Sequence, residues 1–212
     1  MTIYKNPFYV IKASPKDTKA KLIELEELYS LKNGIELSPQ IRMNIMNSRK
    51  RLSSEIAWLP GVKKVLENKI LEDYLKKDNV DSLIYKYDLN PICLSNLISS
   101  KINKEIILEE KFSLIRLLIN SSSEINSSEV SILINQDRKL SGFPLIENIK
   151  YIENEINERI YHYKNRIIKS LEDLPLSIQA TELLKIMNNL KSDIKYSKLL
   201  DSVISHYEIE SK

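Results

Sequence analysis

The chain has 212 residues, with 32 basic and 29 acidic side chains, a net charge of +3 and 42% hydrophobic residues. Its three glycines are too few for a phosphate-cradling loop, a doubly wound sheet or a set of tight hairpins, all of which need positive φ at several positions. One cysteine, Cys93, excludes an internal disulfide and a thiolate zinc cage, and the regular spacing of Leu and Ile excludes disorder for most of the length.

The composition predicts an all-α protein. Met1 to Pro7 lacks the apolar core of a signal peptide, and no uncharged run approaches the ~20 residues of a membrane span, so a soluble cytoplasmic protein is expected. Charge is uneven along the chain: Ser38 to Ile70 holds seven Lys or Arg against two Glu, a local +5 that leaves −2 for the remainder. An anionic partner should meet that stretch.

Residues 1–60 form a first unit, read as a helical hairpin. Ser14-Pro15-Lys16-Asp17 carries an N-cap, a proline with first-turn φ and an early carboxylate, which predicts a helix start. Leu22, Leu25, Leu28 and Tyr29 then lie on one helical stripe, and Asn33-Gly34 closes it. Leu22, Leu25 and Leu28, with Phe8, Val10 and Ile11, are the expected core of the hairpin. Ser38-Pro39 opens the next helix, with a break at Asn47-Ser48, and Pro60-Gly61 ends the unit. Trp58 and Pro60 are expected to pack between this unit and the rest of the chain, because an indole needs an apolar bed and one partner for its N–H.

Residues 61–212 read as a C-terminal helical bundle, packed on or linked to the first unit. Apolar stripes run through 62–77, 81–88, 91–102, 104–120, 127–140, 145–173, 176–191 and 196–209, and the tract Ser121-Ser122-Ser123 reads as a loop. The longest stripe holds Ile149, Ile152, Ile156, Ile160, Tyr163, Ile167 and Leu171, the spine of a bundle or one arm of a coiled hairpin.

Nothing in the chain reads as an enzyme, and no cofactor or metal is expected. His162 and His206 lie in separate helices and outside any metal spacing; Cys93 has no histidine near it in sequence; the carboxylates of 24–27, 105–110 and 153–158 read as solvated helix faces. The sharpest local feature is Asn47-Ser48-Arg49-Lys50-Arg51. With Arg42, these three cations are the candidate partner-binding residues, and no aromatic is interleaved with them for base stacking, which weakens a nucleic-acid reading. An alternative role for Arg51 is structural, paired with Glu55 four residues on.

The order Tyr9-Val10-Ile11, Ser14-Pro15 with Thr18, an amphipathic helix, a second helix and then Asn47 to Arg51 resembles a J-domain, the helical module of co-chaperones that stimulate the heat-shock chaperone ATPase. The resemblance covers Asn6 to Trp58, a quarter of the chain. It departs from the family at the tripeptide His-Pro-Asp that triggers ATP hydrolysis, where this chain has Leu31-Lys32-Asn33-Gly34-Ile35. Asn6-Pro7-Phe8 with the ending Ala57-Trp58-Leu59-Pro60-Gly61 is similar to a divergent class of bacterial J-like proteins with long helical tails. The resemblance implies a non-catalytic J-like adaptor for a protein partner, a chaperone relative or a subunit of a multi-protein bacterial or phage-related system. Two alternatives are a co-chaperone of a specialised chaperone that works without the tripeptide and a nucleic-acid-associated accessory subunit.

Overall fold

The computed structural model describes residues 1–76, 86–190 and 197–210. Among them the chain is all-α, with a short 3-10 turn at Ile3–Lys5 and eleven helices: α1 (Pro7–Val10), α2 (Lys19–Asn33), α3 (Pro39–Met46), α4 (Arg51–Ile56), α5 (Lys64–Lys76), α6 (Pro91–Lys101), α7 (Leu108–Ser123), α8 (Ser127–Ser141), α9 (Ile149–Leu171), α10 (Leu176–Leu190) and α11 (Lys198–Glu210). Most of the stripe at 81–88 lies outside the described residues. Among those described, no helix is long and apolar enough to cross a membrane.

Helix boundaries follow local chemistry at most ends. Asn6, Thr18, Ser38, Asn90, Asn126 and Asn148 each accept a backbone N–H of the first turn, and prolines 7, 39 and 91 stand at first-turn positions where no N–H is needed. Gly34 closes α2 at φ 66°, a left-handed conformation that leaves its N–H to donate to the Ser30 carbonyl.

Four boundaries differ from the sequence expectation, two of them because α7 and α9 start at Leu108 and Ile149, four residues inside the stripes at 104–120 and 145–173. α2 begins at Lys19, not at Ser14-Pro15. The Asp17 carboxylate accepts the Ser14 N–H at 2.7 Å and pairs with Lys64, while the Pro15 carbonyl, which a helix would offer to Lys19, accepts from Arg51. Residues 14–18 are thereby held as a turn. The serine tract is not a loop but the last turn of α7. Ser121, Ser122 and Ser123 each donate a hydroxyl to the carbonyl three residues back, at 3.3, 3.0 and 2.7 Å, and Ser121 also bonds Ser95 of α6 at 2.8 Å.

α9 is the spine. Ile152 and Ile156 pack with Leu52, Ile56, Ile92, Val130 and Ile134, and Tyr163, Ile167 and Leu171 pack with Ile98, Ile115, Leu118, Leu183 and Val203. A third core joins Phe8, Leu22, Ile45 and Trp58 from the first sixty residues to Ile70, Leu71, Tyr74, Cys93, Leu97 and Phe143 from beyond them. Within α2, Leu22 is buried, Leu25 and Tyr29 are partly so, and Leu28, expected on the inner stripe, is exposed. Leu22, Leu25 and Tyr29 occupy the inner face, and Leu28 falls off it.

Polar groups also cross the division at Pro60-Gly61. Asn96 of α6, fully buried, donates to the Ile56 and Trp58 carbonyls at 2.8 Å each and accepts from Arg159 at 2.6 Å and Tyr163 at 2.8 Å. Gly61 adopts φ 75° with Leu133 so close that an added Cβ would meet its Cδ2 at 2.4 Å.

Because the core is continuous across Trp58, the chain is expected to unfold in one transition, with the fluorescence of its single tryptophan and its helical circular dichroism changing together. Trp58→Ala should cost about 3–5 kcal/mol and lower that whole transition. Two separated transitions would show that the bundle holds its own core.

Candidate functional site

The basic run is sorted by a single turn. Asn47 caps the end of α3, and its Oδ1 accepts the N–H groups of Arg49 and Lys50 at 3.0 Å each. This Asx-type turn points Arg49 and Lys50 to solvent and starts α4 with Arg51 facing inward.

Arg51, expected among the partner-binding residues, is fully buried and cannot meet a partner. Its Nε donates to Glu55 Oε1 at 2.6 Å, its two Nη groups donate to the Ile45 and Pro15 carbonyls, and its guanidinium lies 3.8 Å from the Phe143 ring centroid. The alternative reading, a structural pair with Glu55, is the one the fold adopts. Arg138 of α8, which sequence reasoning did not single out, completes the cluster: it donates to Glu55 Oε2 at 2.8 Å, to the Pro144 carbonyl at 2.9 Å and to the Ser48 carbonyl at 2.7 Å.

Of the remaining candidates, Arg49 and Lys50 sit together and Arg42 does not join them. Arg42 is drawn to Glu26 of α2 at 3.2 Å and lines a different groove. Arg49 Nη2 donates to the Tyr151 hydroxyl at 2.9 Å, with its guanidinium 5.3 Å from that ring's centroid. Beside it opens a cavity of about 390 Å³ lined by Ser48, Leu52, Leu145, Ile146, Tyr151, Asn154 and Glu155. Leu145 and Tyr151 are exposed, and no carboxylate among the described residues pairs with Arg49 or Lys50. Leu145 and Tyr151 were not legible as site residues; the one signal was an aromatic beside, not on, the Ile149–Ile152–Ile156 stripe.

Trp58 and Pro60 sit between the two stretches of chain. The Trp58 indole lies 6.1 Å from the Phe8 ring, and its N–H donates to Glu67 Oε2 at 3.3 Å. The Pro60 carbonyl accepts from Asn90 at 2.8 Å and from the Cys93 thiol at 3.4 Å. Glu67 and Asp137 share Lys16, at 2.8 and 3.1 Å, in a buried group; burial pushes both carboxyls up and Lys16 opposes the shift. With Glu67 2% and Asp137 3% exposed, no substrate reaches these carboxylates, and they serve as internal struts. Burial raises the Cys93 thiol far above the usual range, which leaves it unionised at neutral pH.

His162 is half-buried in α9, its Nδ1 2.9 Å from the Met1 amine. Desolvation, then the Arg159 charge, lowers it to about 3. A folded value below the unfolded 6.5 means that its contribution to stability is complete above pH 6.5 and is lost as the pH falls toward 3. His162→Asn should therefore flatten the decline of melting temperature on acidification over that window. The slope difference between the two proteins isolates the imidazole from Glu67 and Asp137, whose raised values act in the opposite sense. Identical slopes would place the imidazole in water.

The cluster and the surface should also separate by mutation. Glu55→Ala leaves two guanidiniums buried without their carboxylate and should cost about 3–5 kcal/mol. Arg49→Ala and Lys50→Ala should each change stability by no more than about 0.5 kcal/mol, read by denaturant melts.

Comparison of the chain with protein-family models, curated proteins and solved structures finds no match.

Proposed function

We propose that the chain is a non-catalytic, J-like adaptor that captures an acidic, apolar-anchored segment of a protein partner at the Arg49–Lys50 turn. The observation that carries this reading is two exposed cations without carboxylate partners, set beside a cavity whose walls include the exposed Leu145 and Tyr151. The turn is held in place from behind by Asn47 and by Arg138 on the Ser48 carbonyl, so little order is lost when a ligand binds.

The order of α1 to α4 supports the J-like part of the reading. At the place of the triggering tripeptide, Asn33 turns its amide back to the Tyr29 carbonyl at 2.7 Å and Gly34 takes the left-handed conformation, so no carboxylate is presented there. That favours capture of a partner over stimulation of an ATPase. A cavity wall with Glu155 among its residues and one tyrosine gives no run of stacking platforms for nucleic acid.

A fluorescent amphipathic peptide of alternating leucine and glutamate clusters, about fourteen residues or four helical turns, serves as the probe. Arg49→Glu with Lys50→Glu should weaken its binding by at least about tenfold, since two rim attractions of roughly 0.5–1 kcal/mol each become repulsions. The melting temperature should not move. Unchanged affinity would refute the assignment, and duplex DNA bound in its place with a steep negative salt slope would favour the accessory-subunit alternative.

A further inference from the structure

The α2–α3 hairpin leaves uncovered a surface of opposite charge to the Arg49 turn. α2 is apolar on more than one side. Leu22 is buried, whereas Ile23 and Leu31 stand 44% and 81% exposed, and Ile35 beyond the helix end is 61% exposed. Ile23, Glu27 and Leu31 follow one another at four-residue spacing, so they form one ridge about 12 Å long. Between this ridge and α3 lies a cavity of about 620 Å³ lined by the buried Leu37, by Pro39 and by Glu26, Glu27, Glu36 and Arg42.

Arg42 is neutralised by Glu26 at 3.2 Å, and no cation among the described residues pairs with Glu27 or Glu36. The groove is apolar at its base and negative at its edge. An acidic peptide or a nucleic-acid backbone is repelled there, whereas a helix with apolar residues two turns apart and lysine or arginine flanking them matches it in both respects. Exposed apolar side chains gathered in a concavity with a polar rim are the signature of such a docking site, not of a solvated helix face.

We propose that the α2–α3 groove docks a basic amphipathic helical segment of a partner protein, its apolar residues on Ile23 and Leu31 and its cations on Glu27 and Glu36. The surface is separate from the Arg49 turn and opposite in sign, so one reading can fail while the other stands.

The test uses the full chain and two labelled peptides of about fourteen residues, one of leucine and lysine, the other its leucine and glutamate counterpart. Leu31→Ser, and separately Glu27→Gln with Glu36→Gln, should each weaken the leucine–lysine peptide by about tenfold, with the melting temperature and the leucine–glutamate peptide unaffected. Arg49→Glu with Lys50→Glu should not weaken it. Leu31 is mostly exposed, so its replacement leaves the fold intact. Leucine–lysine binding that ignores both groove variants would overturn the proposal. So would a concentration-dependent dimer in sedimentation that Leu31→Ser abolishes, because a second copy of the chain would then be the occupant.

Discussion

One carboxylate holds the first half of the molecule in register with the second. Glu55 lies between Arg51 and Arg138, taking both guanidiniums on its two oxygens at 2.6–2.8 Å, and all three residues are at most 1% exposed. Two buried cations against one anion leave an excess of positive charge, which would be costly in an apolar interior. It is spread over the carbonyls of Pro15, Ile45, Ser48 and Pro144 and over the faces of Phe8 and Phe143. Those carbonyls come from the turn before α2, the end of α3, the turn before α4 and the loop after α8, so one ion cluster fixes four chain segments at once.

The surface chemistry derives from that constraint. Because the third cation of the run is used inside, the first two are left outside on a turn bonded by Asn47 and Arg138, and Arg138 also bonds the Pro144 carbonyl beside the Leu145 and Tyr151 walls. The hairpin α2–α3, held at its base by Arg51 on Pro15 and Ile45, projects an acidic, apolar groove. The two grooves differ in the charges that line them, Arg49 at one and Glu27 and Glu36 at the other. Among the molecule's ionisable groups Glu67, Asp137 and Cys93 are buried, and Lys16, partly exposed, pairs with both carboxylates.

The limits of local reasoning show in particular residues. α3, α6, α8 and α9 begin where a capping residue stands, because a cap acts over three or four residues and needs nothing distant. Ser14-Pro15 carries the same signals and fails, since Arg51, thirty-six positions away, takes the carbonyl that the helix needed. The serine tract reads as a loop from composition and is helical because its hydroxyls find carbonyls within their own turn and Ser95 on a neighbouring helix. Leu28 fits the inner stripe on spacing alone and lies outside, since spacing gives a face of the helix but not the width of the surface that covers it.

The amino-acid sequence by itself determined the class and much of the outline: all-α, helices bounded by Asn-Gly, Asn-Pro and Gly-Phe-Pro, an apolar spine through Ile152, Ile156, Tyr163 and Ile167, and a break before the basic run. These are properties of period and of capping, which act within a turn or two of chain. Only the tertiary structure decided which cation of Arg49-Lys50-Arg51 faces inward, that Arg42 belongs to the acidic groove, and that Arg138, Leu145 and Tyr151 stand beside a turn about one hundred positions earlier in the chain. Side chains so far apart in sequence meet because their helices pack on a common core, and no local periodicity carries that information.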